Sequence, residues 1–88
     1  MLRFTLRQLE YFVAVGECGS IAYASAKVNV SSPSISAAIV QLENEFGLPL
    51  FVRQHAKGLS LTLAGRQMMV AARRVLFETE GMVNLATA

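Results

Sequence analysis

Four serines lie close together in residues 31–36, and their hydroxyl groups are the first candidates for chemistry in this sequence. They are Ser31, Ser32, Ser34 and Ser36. A serine hydroxyl both donates and accepts hydrogen bonds, so it can contact a phosphate oxygen or a base edge, or it can cap a helix. Nucleophilic catalysis needs a base beside the hydroxyl, and the one histidine of the chain is not near this cluster in sequence. No catalytic residue is therefore predicted, and the chain is not expected to be an enzyme.

A second group of candidate residues is basic. Arg53, His55 and Lys57 occupy alternate positions, and Lys27 lies before the serine cluster. Such side chains contact phosphates or enter a minor groove, and the alternative is that they only solvate a surface turn.

The composition limits the classes of protein that this chain can belong to. It has 88 residues and a net charge of +2, from 8 Lys and Arg and 6 acidic residues, which permits a polyanionic partner. One Cys and one His exclude an internal disulfide and the usual metal clusters, so no metal or cofactor is expected. No apolar run is long enough for a membrane span, and a cytosolic domain is the default. Glu43 is expected to form an internal ion pair rather than to act as an acid.

Hydrophobic residues make up 53% of the chain and charged residues only 16%. Typical domains have about 45–50% apolar and about 25% charged residues. Since a small domain has much surface to cover, this excess predicts either a partner or a longer parent chain.

The spacing of apolar residues predicts four helices. Thr5 and Ser20 are N-cap candidates for the first two helices, and Ser31 and Ser32 are candidates for the third. Gly16 and Gly19 are expected to end the first helix, Asn29 the second and Gly47 the third. Two short extended runs follow, 50–53 and 59–62, with a turn at Lys57-Gly58, and they predict a hairpin. Thr62 then caps a long last helix in which Gly65 and Gly81 are mild weak points.

This order predicts a mainly α fold: a winged helix-turn-helix with three helices and a small β-hairpin wing, followed by a long C-terminal helix. In such a fold the third helix enters the major groove of DNA and the wing touches flanking backbone. We expect residues 1–62 to form this domain and residues 63–88 to form a linker and dimerisation helix.

The same residues resemble the DNA-binding domain of LysR-type transcriptional regulators, and the resemblance spans Leu6 to about Met82. It rests on these segments in order: Leu6-Arg7-Gln8-Leu9-Glu10-Tyr11-Phe12, Gly19-Ser20, Val30-Ser31-Ser32-Pro33-Ser34-Ile35-Ser36, Ile39, Gln41-Leu42-Glu43, Phe46-Gly47, Leu50-Phe51-Val52-Arg53 and Leu61-Thr62-Leu63-Ala64-Gly65. The resemblance implies a bacterial, cytoplasmic regulator that associates with the nucleoid when it binds DNA. It also implies a double-stranded DNA operator as partner, and a ligand-sensing domain, absent from this chain, through which a small-molecule inducer acts.

The third helix departs from the pattern of that family, which resembles Ser-Gln-Pro-x-x-Ser-Arg-Gln. Ser32 stands in place of the Gln, and Ala37 and Ala38 stand in place of the Arg and the last Gln, leaving methyl groups that suit a thymine methyl. Residues 28–42 carry no charge. The residues expected to contact DNA are Ser31, Ser32, Pro33, Ser34, Ser36, Ala37, Arg53, His55, Lys57 and Lys27.

Two rows of apolar residues recur every seven positions along the last helix. One row can pack on the domain itself, and the other is left for a second subunit. The expected homodimer interface comprises Met68, Met69, Ala72, Val75, Leu76, Met82 and Val83. The resemblance further implies tetramers of the complete protein.

The predicted function is sequence-specific binding of double-stranded DNA as a homodimer, with helix 32–46 in the major groove and wing 51–62 on flanking backbone or minor groove. The alternative is a dimerisation or protein-interaction module with weak or non-specific DNA binding, because the usual Gln and Arg are missing. The weak net charge predicts a shallow dependence of binding on salt.

Overall fold

Four helices and a two-stranded hairpin follow one another in the predicted order. A computed structural model describes residues 2–55 and 58–87. Its elements are α1 (Leu6–Cys18), α2 (Ile21–Val28), α3 (Ser32–Phe46), β1 (Phe51–Gln54), β2 (Gly58–Leu61) and α4 (Leu63–Thr87). The mainly helical winged helix-turn-helix class is therefore confirmed.

Polar side chains start the helices where the sequence predicted them. The Thr5 hydroxyl accepts a hydrogen bond from the Gln8 backbone N–H at 3.1 Å, and the Gln8 side chain accepts one from the Thr5 N–H at 2.9 Å. Ser20 accepts the Tyr23 N–H at 3.2 Å. Each bond satisfies a backbone donor that the first helical turn leaves without a partner, so the local sequence is sufficient to fix these starts.

Left-handed residues end the first three helices. Gly19, Asn29 and Gly47 have φ angles of 70°, 58° and 70°. The turn at Asn29 brings the end of α2 directly to the start of α3, as a helix-turn-helix requires. Gly16, which we expected at the end of α1, lies inside the helix and packs against Met69, whose Cε would be 2.7 Å from a Cβ at that position.

The core forms where α1 meets the other three helices and the hairpin. Its largest fully buried side chains are Phe12, Val15, Ile35, Leu42 and Leu50. One face of α3 is therefore committed to packing, and its opposite face stays outside.

The hairpin and the residue before it are joined to the helices by hydrogen bonds from backbone N–H groups. Its strands pair antiparallel, with Phe51 opposite Leu61, and lie within one residue of the predicted runs. The Leu59 N–H donates to the Gly19 carbonyl at 2.9 Å. The Glu43 carboxylate accepts the Leu50 N–H at 2.8 Å. Among the described residues Glu43 makes this bond instead of the ion pair that we predicted, because a backbone donor lies within its reach.

The first half of α4 packs as part of the same core. Thr62 caps it as predicted, since its hydroxyl accepts the Gly65 N–H at 2.8 Å and donates to the Pro49 carbonyl at 2.8 Å. Gly65 is buried, and a Cβ there would collide with the Leu50 carbonyl. Our interpretation of Gly65 as a mild weak point was wrong, because its missing side chain permits close packing.

Candidate nucleic-acid interface

The serine cluster forms the first turn of α3. The Ser31 hydroxyl accepts the Ser34 backbone N–H at 3.4 Å and donates to the Ser34 hydroxyl at 2.8 Å. Ser31 and Ser34 are exposed, whereas Ser32 is half-buried. Ser31 therefore caps α3 and is still exposed. The exposed hydroxyl of Ser34 can also form a hydrogen bond with an external group.

The outer face of α3 carries Pro33, Ala37, Val40 and Asn44, all exposed. Their spacing of four, three and four residues places them in one row. Ala38, whose methyl group we expected to be available beside that of Ala37, is only 4% exposed. That expectation is corrected, because Ala38 lies on the side of α3 that packs on the core.

Arg53 lies at the junction of the hairpin with two helices. It lines a cleft of about 280 Å³ with Ser36, Val40 and Glu43 of α3. It also lines a cleft of about 230 Å³ beside residues 20–22, which are the N-cap and the first two residues of α2. The structure therefore brings the predicted wing arginine next to the predicted recognition helix, although the two are distant in sequence.

The other basic candidates are placed less favourably. His55 is exposed directly after β1, and Lys57 lies outside the described residues. Lys27 is 60% exposed, but its Nζ lies 3.5 Å from Oε1 of Glu17. Its charge is therefore partly neutralised within the domain, and its contact with phosphate stays a prediction.

Two exposed side chains near these residues were missed by the sequence analysis. Tyr23, in the first turn of α2, is 72% exposed, and its hydroxyl is able to donate to a phosphate. Val40 is 53% exposed on the outer face of α3. Helical spacing from Pro33 and Ala37 was the signal that could have identified Val40.

The predicted dimer residues divide between the core and the surface. Met69 and Ala72 are 4% and 3% exposed and belong to the core. Met68 and Leu76 are partly buried against it. The set we predicted is corrected for Met69 and Ala72, because the domain's own packing already covers them. Three members remain exposed: Val75, Met82 and Val83.

No helix within residues 2–55 and 58–87 combines the length and the hydropathy that a bilayer crossing requires.

These features together define a winged helix-turn-helix of a known family. The model of the bacterial regulatory helix-turn-helix proteins of the lysR family matches residues 6–66. The chain belongs to the LysR family.

Its relatives are transcriptional regulators and are much longer. The chain is 45% identical over 74 residues to the HTH-type transcriptional regulator ClcR of Pseudomonas putida, which covers 84% of this chain and 25% of ClcR. The chain thus spans about a quarter of the length of the curated relatives it matches.

Solved structures of the family superpose on nearly the whole chain. A crystal structure of the CbnR DNA-binding domain with DNA has a TM-score of 0.88 and 36% identity, covering 96% of this chain and 95% of that one. The BenM DNA-binding domain on its benA site 1 DNA has a TM-score of 0.87 and 32% identity, and covers 96% of both chains.

Proposed function

We propose that this domain binds double-stranded DNA sequence-specifically, with α3 in the major groove and the hairpin on flanking backbone or minor groove. One observation carries the proposal: Val40 on the exposed face of α3 and Arg53 of the hairpin border the same cleft. The CbnR and BenM DNA-binding domains, which share the fold, are bound to DNA in their crystal structures.

The hydrogen-bonding groups suit this role. The exposed hydroxyl of Ser34 at the start of α3 is able to contact base edges or phosphate, and the half-buried Ser36 borders the cleft at Arg53. The positive end of the α3 dipole favours a nearby phosphate. The charge of Arg53 adds affinity that does not depend on sequence, whereas contacts from α3 distinguish one site from another.

Gel shifts with sites selected by the wild-type domain and with random DNA test this function. We expect Arg53→Ala to weaken binding about tenfold to both kinds of DNA, because it removes a phosphate contact. Ser36→Ala should weaken binding to the selected sites and leave binding to random DNA unchanged. Arg74→Ala, which removes the same charge from an exposed position on α4, is the matched control. Absence of binding by the wild type at low salt would instead support the protein-interaction alternative.

A salt titration tests how many phosphates are contacted. About three or four contacts per subunit, or six to eight for a homodimer, predict a log–log slope of about −5 to −7, and a slope of about −10 or steeper would contradict the proposal of a modest electrostatic contribution.

We further propose that two copies associate through α4. Val75 is 42% exposed, Met82 70% and Val83 58%, and the end of α4 extends beyond the core that its first half covers. A homodimer would place two copies of α3 in successive major grooves. Sedimentation of Met82→Glu should show a shift to monomer. Asn84→Glu, at an exposed polar position on the other side of α4, is the control and should leave the dimer intact.

The complete protein is proposed to be a cytoplasmic bacterial regulator and not an enzyme. A further domain would bind a small-molecule inducer, and the full-length chains would form tetramers. These proposals rest on family membership and on the greater length of the relatives.

A further inference from the structure

The outer face of α3 is apolar where contact with DNA is proposed. Pro33, Ala37 and Val40 lie in one exposed row, and Val40 has the largest side chain of the three. The opposite face is buried, so this row is not needed for the core. None of these three side chains offers a hydrogen-bond donor or acceptor.

The major groove presents one apolar group that such side chains match. Every base pair exposes donors and acceptors there, and thymine adds a C5-methyl group. A polar base edge covered by Val40 would lose its bonds to water without a replacement, which is unfavourable. A thymine methyl group makes no hydrogen bonds to water, and its removal from water against Val40 is favourable.

The positions along α3 suit neighbouring base pairs. Ala37 and Val40 are separated by about 4.5 Å along the helix axis, since each residue rises about 1.5 Å. Base pairs are spaced by about 3.4 Å. Val40 also borders the cleft that Arg53 lines, so its contact is continuous with the surface proposed for the DNA backbone.

We propose that Val40 and Ala37 recognise the C5-methyl groups of thymines at two neighbouring positions of each half-site. This inference rests on the proposed DNA-binding function and names what takes the place of the missing Arg and Gln in determining specificity. Val40 is thus a specificity-determining residue.

Replacing single thymines by deoxyuridine tests the inference, because it removes the methyl group and keeps the base pairing. In a site selected by the wild type, we expect about a fourfold loss of affinity at each contacted thymine and no change at the others. Val40→Ala should remove the sensitivity at one of these positions. Val70→Ala is an equivalent change at an exposed helical valine on α4, and this variant should stay sensitive to deoxyuridine at both positions.

A second arm restores the methyl group on a different base. Where cytosine replaces a contacted thymine and lowers the affinity, 5-methylcytosine at that position should raise the affinity again by about threefold.

The outcomes separate this inference from the proposed function. Selective binding that is unaffected by every deoxyuridine would overturn methyl recognition and leave DNA binding intact. If deoxyuridine lowers the affinity of Val40→Ala at the same positions as it does for the wild type, the role of Val40 is overturned. Absence of any selected site would overturn both.

Discussion

The guanidinium of Arg73 on α4 donates a hydrogen bond to Oε2 of Glu17 on α1, 3.0 Å away. Oε1 of the same carboxylate lies 3.5 Å from Nζ of Lys27 on α2. The Arg73 hydrogen bond is the main reason why the pKa of Glu17 lies below its ordinary value, and the charge of Lys27 lowers it further against the opposing effect of burial. One carboxylate therefore connects three helices.

Glu17→Gln should destabilise the domain by about 0.5 kcal/mol near neutral pH, because exposed ion pairs are weak. The folded-state pKa is lowered, so the contribution of Glu17 is present above the ordinary carboxyl pKa and is lost as the pH falls through the folded value. Urea unfolding at several pH values should show the two proteins converging on acidification. Glu78→Gln, at an exposed position on α4, is the control, and a difference that grew in acid would contradict the assignment.

Two glycines in α4 should respond in opposite ways to alanine. At Gly65 a Cβ would collide with the Leu50 backbone carbonyl, and at Gly81 it would meet nothing within 4 Å. Gly65→Ala should lower the free energy of unfolding by about 2–3 kcal/mol through overpacking. Gly81→Ala should raise it by about 0.5–1 kcal/mol through helix propensity. If the two variants change the free energy of unfolding equally in thermal or urea unfolding, close packing at Gly65 does not determine the effect of an alanine there.

The Thr62 hydroxyl makes two bonds that a methyl group cannot make. Thr62→Val keeps the shape but removes the cap on Gly65 and the bond to Pro49, so unfolding should require about 1.5–2 kcal/mol less. Thr62→Ser retains both bonds and should cost about 0.5 kcal/mol or less. The comparison fails if the serine variant is as unstable as the valine variant.

Restoring an arginine at position 37 should change which bases are preferred. Ala37→Arg places a donor pair on the exposed face of α3, where guanine offers two acceptors. Selection from random DNA should then yield guanine at one position of each half-site, favoured by about 1–3 kcal/mol. Gln67→Arg adds the same charge on α4 and should leave the selected bases unchanged. An Ala37→Arg variant that only binds all DNA more tightly would indicate a phosphate contact instead.

Helix boundaries were predictable because they are determined by neighbouring residues. Thr5, Ser20 and Asn29 act on backbone groups within the same turn, so their roles follow from local chemistry alone. The hairpin was also predictable, since alternation and Gly58 specify it, apart from a shift of one residue.

The packing errors arose where distant segments meet. The packing of Gly65 depends on Leu50, and Met69 is buried because Gly16 leaves space for it on another helix. A heptad pattern shows that α4 has apolar faces, but it does not tell which of them the domain itself covers. The partnership of Glu17 with Arg73 was unpredictable for the same reason.

The hydrogen bond from Leu59 to Gly19 ties the hairpin to the end of α1. In the proposed complex this tie restricts how far α3 and the hairpin can adjust to variations in groove width, so part of the adjustment falls to the DNA. Stiffness and groove width depend on base sequence even where nothing touches the bases. We therefore expect base pairs between the α3 contact and the hairpin contact to affect affinity through indirect readout, although neither element reaches them.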